Sequence, residues 1–340
     1  MRFGVLTGGG DCPGLNAVIR AIVRKAVGMH GAEVIGFRDG WRGVVEGDIE
    51  ELTVATVHGI LHRGGTILGS SGANPYHEGG IDRVRKTFAD LSIDGLIAIG
   101  GEGTLGAAAQ MSSDGLAVIG VPKTIDNDIP GTDACVGFHT AVQIATDAID
   151  RVHSTAESHN RLMLVEVMGR SAGWIALHAG LAGGADMILV PERPFDLEDV
   201  CRHVRNRQLR GHRFSIIVVA EGATSVPGAF EPPTYAVDEH GFPRYGGIAH
   251  MLAPEIAART GYETRVTVLG HVQRGGTPTA EDRVLATRFG AAAVDLAAQG
   301  RWGRMVAIQG GDITDVALEE ALAGPASIPE DLYAVAELFF

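Results

Sequence analysis

A run of consecutive apolar residues closed by glycine recurs along this chain. Asp94-Gly95-Leu96-Ile97-Ala98-Ile99 leads into Gly100-Gly101-Glu102-Gly103, and residues 104–111 then follow a helical pattern. Phe3-Gly4-Val5-Leu6-Thr7 leads into Gly8-Gly9-Gly10-Asp11, and residues 15–27 carry apolar side chains at 15, 18, 19, 22 and 23. Strands at 33–37 and 117–121, with helices at 54–61 and 82–89, extend the alternation. A strand that is apolar at successive positions needs cover on both faces. The pattern therefore predicts an α/β fold with parallel sheets in three layers.

A second series follows. Strand 162–167 precedes Gly169-Arg170-Ser171-Ala172-Gly173 and a helix at 174–181, with further strands at 188–190, 215–220 and 266–269 and a helix at 280–299. Residues 226–245, rich in Pro, Gly and aromatics, read as an irregular excursion. At 340 residues the chain exceeds the usual single domain, so two domains are expected. A net charge of −13 argues against a nucleic-acid binder, which needs a basic face. Cys12, Cys135 and Cys201 show no metal-binding spacing and read as reduced, structural thiols. The N-terminus lacks the pattern of a signal peptide and no apolar run reaches about 20 residues, so a cytoplasmic location away from membranes is expected.

In open parallel sheets, ligands bind where strand ends run into helix N-termini. Thr7-Gly8-Gly9-Gly10-Asp11-Cys12-Pro13-Gly14 suits a phosphate there, yet it is neither a GxGxxG nor a GxxxxGK[ST] loop. Alone it is equally a tight turn. Gly100-Gly101-Glu102-Gly103-Thr104 adds a carboxylate, which tolerates a phosphate only through a cation such as Mg²⁺. Pro122-Lys123-Thr124-Ile125-Asp126-Asn127-Asp128 follows a buried strand with two carboxylates and a lysine. One carboxylate suits a base and the other a metal or positioning role, as phosphoryl transfer requires. Arg161, Arg170, Arg265, His271 and Arg274 lie at strand boundaries and suit an anionic substrate. Glu221 suits a substrate hydroxyl or a turn cap. His153, His159 and His178 and the tryptophans read as ordinary packing or surface residues.

The ordered segments Gly-Gly-Asp-Cys-Pro-Gly-Leu-Asn-Ala-Val-Ile-Arg (9–20), Gly-Gly-Glu-Gly-Thr (100–104), Pro-Lys-Thr-Ile-Asp-Asn-Asp (122–128), Val-Met-Gly-Arg (167–170) and Leu-Gly-His-Val-Gln-Arg-Gly-Gly (269–276) resemble the 6-phosphofructokinase family, in its actinobacterial branch. The resemblance implies two Rossmann-like domains. Residues 1–138 with 274–310 would bind the phosphate donor, and 139–273 with 311–340 the sugar phosphate. It implies glycolytic phosphorylation of fructose 6-phosphate, with Asp126 as the base on the 1-hydroxyl and Thr124, Asp128 and Arg170 beside it. Met168, Gly169, Glu221, His271 and Arg274 would bind the sugar, and Arg161 and Arg265 would reach it from a neighbouring subunit of a homo-oligomer, typically a tetramer. Gly10, Gly101, Gly103, Thr104 and Lys123 would hold the donor, and Glu102 the Mg²⁺.

Gly103 leaves room for a nucleotide and favours ATP, whereas Lys123 is common in pyrophosphate users, so pyrophosphate stays the alternative. Gly72 stands where the family usually carries an arginine. Arg20 and Arg24 match the family's effector site but Ala55 and His153 do not, which implies weak or absent control by ADP and phosphoenolpyruvate. Other readings are sedoheptulose 7-phosphate as acceptor, an NAD or lipid kinase, and a non-catalytic regulatory paralogue. The first is open. The second lacks the 124–128 and 269–276 segments, and the third rests on Gly72 alone.

Overall fold

The computed structural model describes residues 1–77, 80–228, 230 and 245–340. The excursion expected at 226–245 falls largely outside the described residues. In order, the elements are β1 (Arg2–Thr7), α1 (Leu15–His30), β2 (Glu33–Phe37), α2 (Trp41–Glu46), β3 (Ile49–Glu51), α3 (Gly80–Leu91), β4 (Gly95–Gly100), α4 (Glu102–Ser113), β5 (Val118–Pro122), α5 (Phe138–His159) and β6 (Leu162–Val167). Then follow α6 (Trp174–Ala182), β7 (Met187–Leu189), α7 (Leu197–Leu209), β8 (Ser215–Ala220), α8 (Ile248–Thr260), β9 (Thr264–Val268), α9 (Ala280–Ala298), β10 (Arg304–Gln309), β11 (Asp312–Ala317) and α10 (Glu330–Glu337). Short 3-10 turns occupy Gly270–Arg274 and Leu318–Leu322.

The chain forms two compact units. Unit 1 comprises Met1–Ile125, Ile129–Thr140 and Arg274–Pro325, and unit 2 comprises Asp126–Asp128, Ala141–Gln273 and Ala326–Phe340. Among the described residues, unit 1 holds a sheet in the order β11-β10-β5-β4-β1-β2-β3. Its inner strands are parallel, as the continuous apolar runs predict. Both rims are antiparallel: β3 returns beside β2, and β11 beside β10. Leu6, Phe37, Leu96, Ala98, Met305 and Ala307 face a core shared with α2, α3 and α4, while alternate residues lie under α1 and α9. Those two helices approach so closely that a Cβ on Gly290 would stand 2.6 Å from the Val18 carbonyl oxygen.

Unit 2 holds the parallel order β7-β8-β6-β9. Leu162, Leu164, Ile217 and Val219 pack with α7 and α8 on one face. On the other, a Cβ on Gly180 of α6 would meet Ile188 and Val218 at 2.8 and 3.4 Å.

One expected element is absent. Residues 54–61 form turns rather than a helix. Thr53 and Thr56 bond each other's main chain through their hydroxyls, and Gly59 takes a left-handed φ of 76°. Such local side-chain bonds compete with the helical ladder. Among the described residues no helix is long and apolar enough to cross a membrane.

Candidate active site

In unit 1, β1 and β4 pair from Phe3↔Gly95 to Thr7↔Ile99, so the loops that follow them leave the sheet side by side. Thr104, buried in the first turn of α4, nests between them. A Cβ on Gly8 would stand 2.5 Å from its Oγ1, and one on Gly100 2.3 Å from its Cβ. Glycine at 8 and 100 is thus a packing requirement imposed by Thr104. Gly103 differs, because nothing lies within 4 Å of the place a side chain would take. Glu102 is exposed beside it in the same turn.

Lys123 directly follows β5 and is only 2% exposed. Its Nζ donates to the Gly8 carbonyl at 2.9 Å and the Gly10 carbonyl at 2.5 Å, fixing a cation within residues 8–10. The opposite flank is braced by Ser70, whose hydroxyl donates to the Gly9 carbonyl, and by Ser71, whose carbonyl accepts from the Gly9 N–H. Asn16 anchors that flank by bonding Arg63, Gly64 and Ile67 main-chain groups. Burial pushes the Cys12 thiol up to about 12, against the pull of Lys123, so it stays protonated and inert.

The chain then makes an excursion and returns. Val136 bridges to Lys123, and its N–H donates to the Pro122 carbonyl. Asp282, fully buried in the first turn of α9, accepts from the Gly137 N–H at 2.9 Å and from the Thr140 N–H and hydroxyl at 2.7 and 2.5 Å. That carboxylate satisfies main-chain N–H groups at the start of α5.

In unit 2, Asp126 is buried, Asn127 takes a left-handed φ of 53°, and the Asp128 carbonyl accepts from the Ala326 N–H at 2.8 Å. Asn tolerates this conformation because its short amide bonds locally. The loop after β6 is equally constrained. Gly169 and Arg170 have φ of 143° and 51°. Glu221, which follows the neighbouring β8, accepts from the Arg170 N–H at 2.9 Å and the Gly169 N–H at 3.3 Å. A Cβ on Gly222 would stand 1.9 Å from the Arg170 carbonyl oxygen. Gly-Arg and Glu-Gly are therefore matched halves of one loop contact.

The chain as a whole matches known proteins. A family model described as Phosphofructokinase covers residues 2–297. The chain belongs to the phosphofructokinase family. A pyrophosphate–fructose 6-phosphate 1-phosphotransferase of Amycolatopsis methanolica is 60% identical over 100% of both chains. The ATP-dependent 6-phosphofructokinase 3 of Streptomyces coelicolor is 54% identical over 99% of each. The Pichia pastoris phosphofructokinase structure in the T-state superimposes with a TM-score of 0.83 at 34% identity, covering 99% of this chain and 38% of that longer one. The chain is thus an enzyme, a kinase of the phosphofructokinase class.

Within this phosphofructokinase, Gly10, Gly101, Glu102, Gly103, Thr104, Lys123 and Thr124 lie in unit 1. Asp126, Asp128, Met168, Gly169, Arg170, Glu221 and His271 lie in unit 2. Arg274, expected among the sugar ligands, is grouped with unit 1, where its Nη1 donates to the Asp11 carbonyl at 3.1 Å. Arg161 and Arg265 both pair with Glu263, the residue before β9. Asn16 and Asp282 were not singled out from sequence. A polar residue inside an apolar helix face was their only signal.

Burial pushes the Glu221 carboxyl above its ordinary 4.5, and the charge of Asp126 adds to this against the two N–H donors. A raised folded value means the unfolded chain sheds its proton first. Stability therefore falls as pH climbs above 4.5 toward the raised folded value. Glu221→Gln is expected to flatten the fall in melting temperature as pH rises above 4.5. An unchanged fall would show that another group sets it.

Proposed function

We propose that this phosphofructokinase transfers the terminal phosphoryl group of ATP to the 1-hydroxyl of fructose 6-phosphate. The hydroxyl oxygen attacks phosphorus, the bond to the leaving diphosphate breaks, and the Asp126 carboxylate takes the hydroxyl proton. Thr124, Asp128 and Arg170 orient the reacting groups. Met168, Gly169, Glu221 and His271 receive the sugar, with the 168–170 main chain held open by Glu221. Main-chain N–H groups of Gly10 and of residues 101–104, at a strand end and a helix N-terminus, receive the donor phosphates.

The donor set fits Mg²⁺. Glu102 is a single exposed carboxylate in the first turn of α4, and no cluster of three or more ligating side chains occurs among the described residues. One carboxylate completed by phosphate oxygens and water is how Mg²⁺ is commonly held. When bound, the ion neutralises charge on the transferring group.

The observation that carries ATP is the open space at Gly103, which admits a nucleotide beyond two phosphates. Pyrophosphate is the second reading. The buried Lys123 ammonium on residues 8–10 supports it, as does the 60% identical pyrophosphate-using relative. Comparing kcat/KM for MgATP and magnesium pyrophosphate decides. ATP is expected to be used at least about tenfold better, a difference of about 1.4 kcal/mol in transition-state binding. Faster turnover with pyrophosphate would establish the second reading. The proposal includes a homo-oligomer in which Arg161 and Arg265, held on Glu263, serve a neighbouring subunit's sugar phosphate.

A further inference from the structure

In unit 2 the loop after β6 runs from Met168 to Gly173 and leads into α6. Glu221, just past β8, holds its first half by accepting from the Gly169 and Arg170 N–H groups. The second half ends on a helix N-terminus, where main-chain N–H groups find no partner inside the helix. Gly173, the residue before α6, has no side chain to supply one. The partner comes from the loop after β7: Glu192 Oε1 accepts from the Gly173 N–H at 2.9 Å. A carboxylate is favoured there by the helix dipole as well.

Gly173 is shaped for this contact. A Cβ there would stand 2.7 Å from Glu192 Oε2 and 2.6 Å from the Val190 Cβ, so glycine is what admits the carboxylate. Glu192 is itself held stiffly. Val190 and Arg193 bridge across Pro191 and Glu192, with the Arg193 N–H on the Val190 carbonyl at 3.4 Å. Proline suits the second position of such a turn because its φ is preset. Arg193 lies over the Tyr333 ring at 5.6 Å and pairs with Glu330, both on α10. Between the two carboxylates the loop is closed by the Ala172 N–H, which donates to the Gly169 carbonyl at 2.9 Å, while Arg170 and Ser171 at its tip are exposed. Glu192 Oε2 is buried and has no hydrogen-bond partner among the described residues. A half-satisfied carboxylate is a poor device for stability alone, and such a group calls for another reason.

We propose that Glu192 is a positioning residue for the sugar phosphate. By holding the Gly173 N–H it fixes the exit of the loop whose entry Glu221 fixes, and so presets Met168, Gly169 and Arg170 for fructose 6-phosphate. This rests on the phosphotransfer reading above, in which those three residues serve the sugar. Glu192 touches no reacting atom. Its effect is on order: a loop fixed before binding loses less conformational freedom when the sugar arrives.

The test is steady-state kinetics of Glu192→Ala, Glu192→Gln and Glu192→Asp in the full chain, with fructose 6-phosphate affinity measured separately by calorimetry, below the melting transition of every variant. Glu192→Ala removes the acceptor and is expected to raise the sugar-phosphate Kd and KM at least about tenfold, the scale of one hydrogen bond to a charged acceptor. Its donor KM is expected to stay within about twofold of wild type, since only sugar binding is touched. Glu192→Gln keeps an acceptor oxygen for Gly173 and is expected to stay within about threefold of wild type. Glu192→Asp keeps the charge but draws back by one methylene, and is expected to raise the sugar Kd at least about threefold, a comparison that stands even where the alanine variant does not fold. An unchanged sugar Kd in Glu192→Ala or Glu192→Asp would overturn the proposal. So would a donor KM that rises as much as the sugar KM, which would leave Glu192 a cap for stability only. A glutamine variant as impaired as alanine would overturn it too, because the hydrogen bond would not be what was lost. A wild-type protein that binds no fructose 6-phosphate would instead overturn the phosphotransfer reading.

Discussion

Asp126→Ser is expected to lower kcat by about 10²–10⁴ while fructose 6-phosphate still binds. The expectation follows from the role of a positioned base, which acts on the attacking hydroxyl in the transition state and contributes little to ground-state affinity. Asp126 is suited to it by position. It is buried, and it sits next to Asn127, whose left-handed turn sets the direction of the segment. The neighbouring Asp128 carbonyl is tied to Ala326 within unit 2. Serine is smaller and uncharged, so it removes the base without crowding the loop. Comparing kcat with a separately measured sugar-phosphate Kd makes the check. Retained kcat would remove Asp126 from the base role, and lost binding would make it a ligand.

Lys123→Met is expected to act on the donor side and on stability together. The ammonium satisfies the Gly8 and Gly10 carbonyls inside the protein, and methionine fills similar volume without a donor. An unsatisfied buried acceptor costs about 1–3 kcal/mol. The melting temperature should therefore drop, and the donor KM should rise at least about tenfold because residues 8–10 lose both their brace and their fixed charge. Fructose 6-phosphate KM should move little. An unchanged donor KM would mean that Lys123 is a structural brace alone.

Much of this fold was legible because parallel strands buried on both faces announce themselves. Leu96-Ile97-Ala98-Ile99 is an unbroken apolar run, and β4 spans it at Gly95–Gly100, one residue along from the expected strand at 94–99. What failed was local. The apolar spacing at 54–61 imitates a helix, and only the Thr53–Thr56 bonds and the Gly59 turn show otherwise. The β10–β11 hairpin was missed although Gly310 and Gly311, both at positive φ, mark its tight turn.

The site divides in the same way. Glycines after strands were visible, but their reasons were not. Gly8 and Gly100 answer to Thr104, Gly10 to Arg274 and Gly222 to the Arg170 main chain. Each partner is distant in sequence, so no periodicity could reveal it. Asp282 capping α5 from another helix, and Asn16 anchoring the 63–67 segment, are legible only once the chain has folded.

Phosphoryl transfer to a sugar phosphate is the claim on which the rest depends. Phosphorus NMR of the protein with fructose 6-phosphate, Mg²⁺ and ATP, repeated with pyrophosphate, tests it most directly. The expected result is a second sugar-phosphate resonance growing with the loss of ATP, at the position of fructose 1,6-bisphosphate. Unchanged fructose 6-phosphate with both donors would contradict the account.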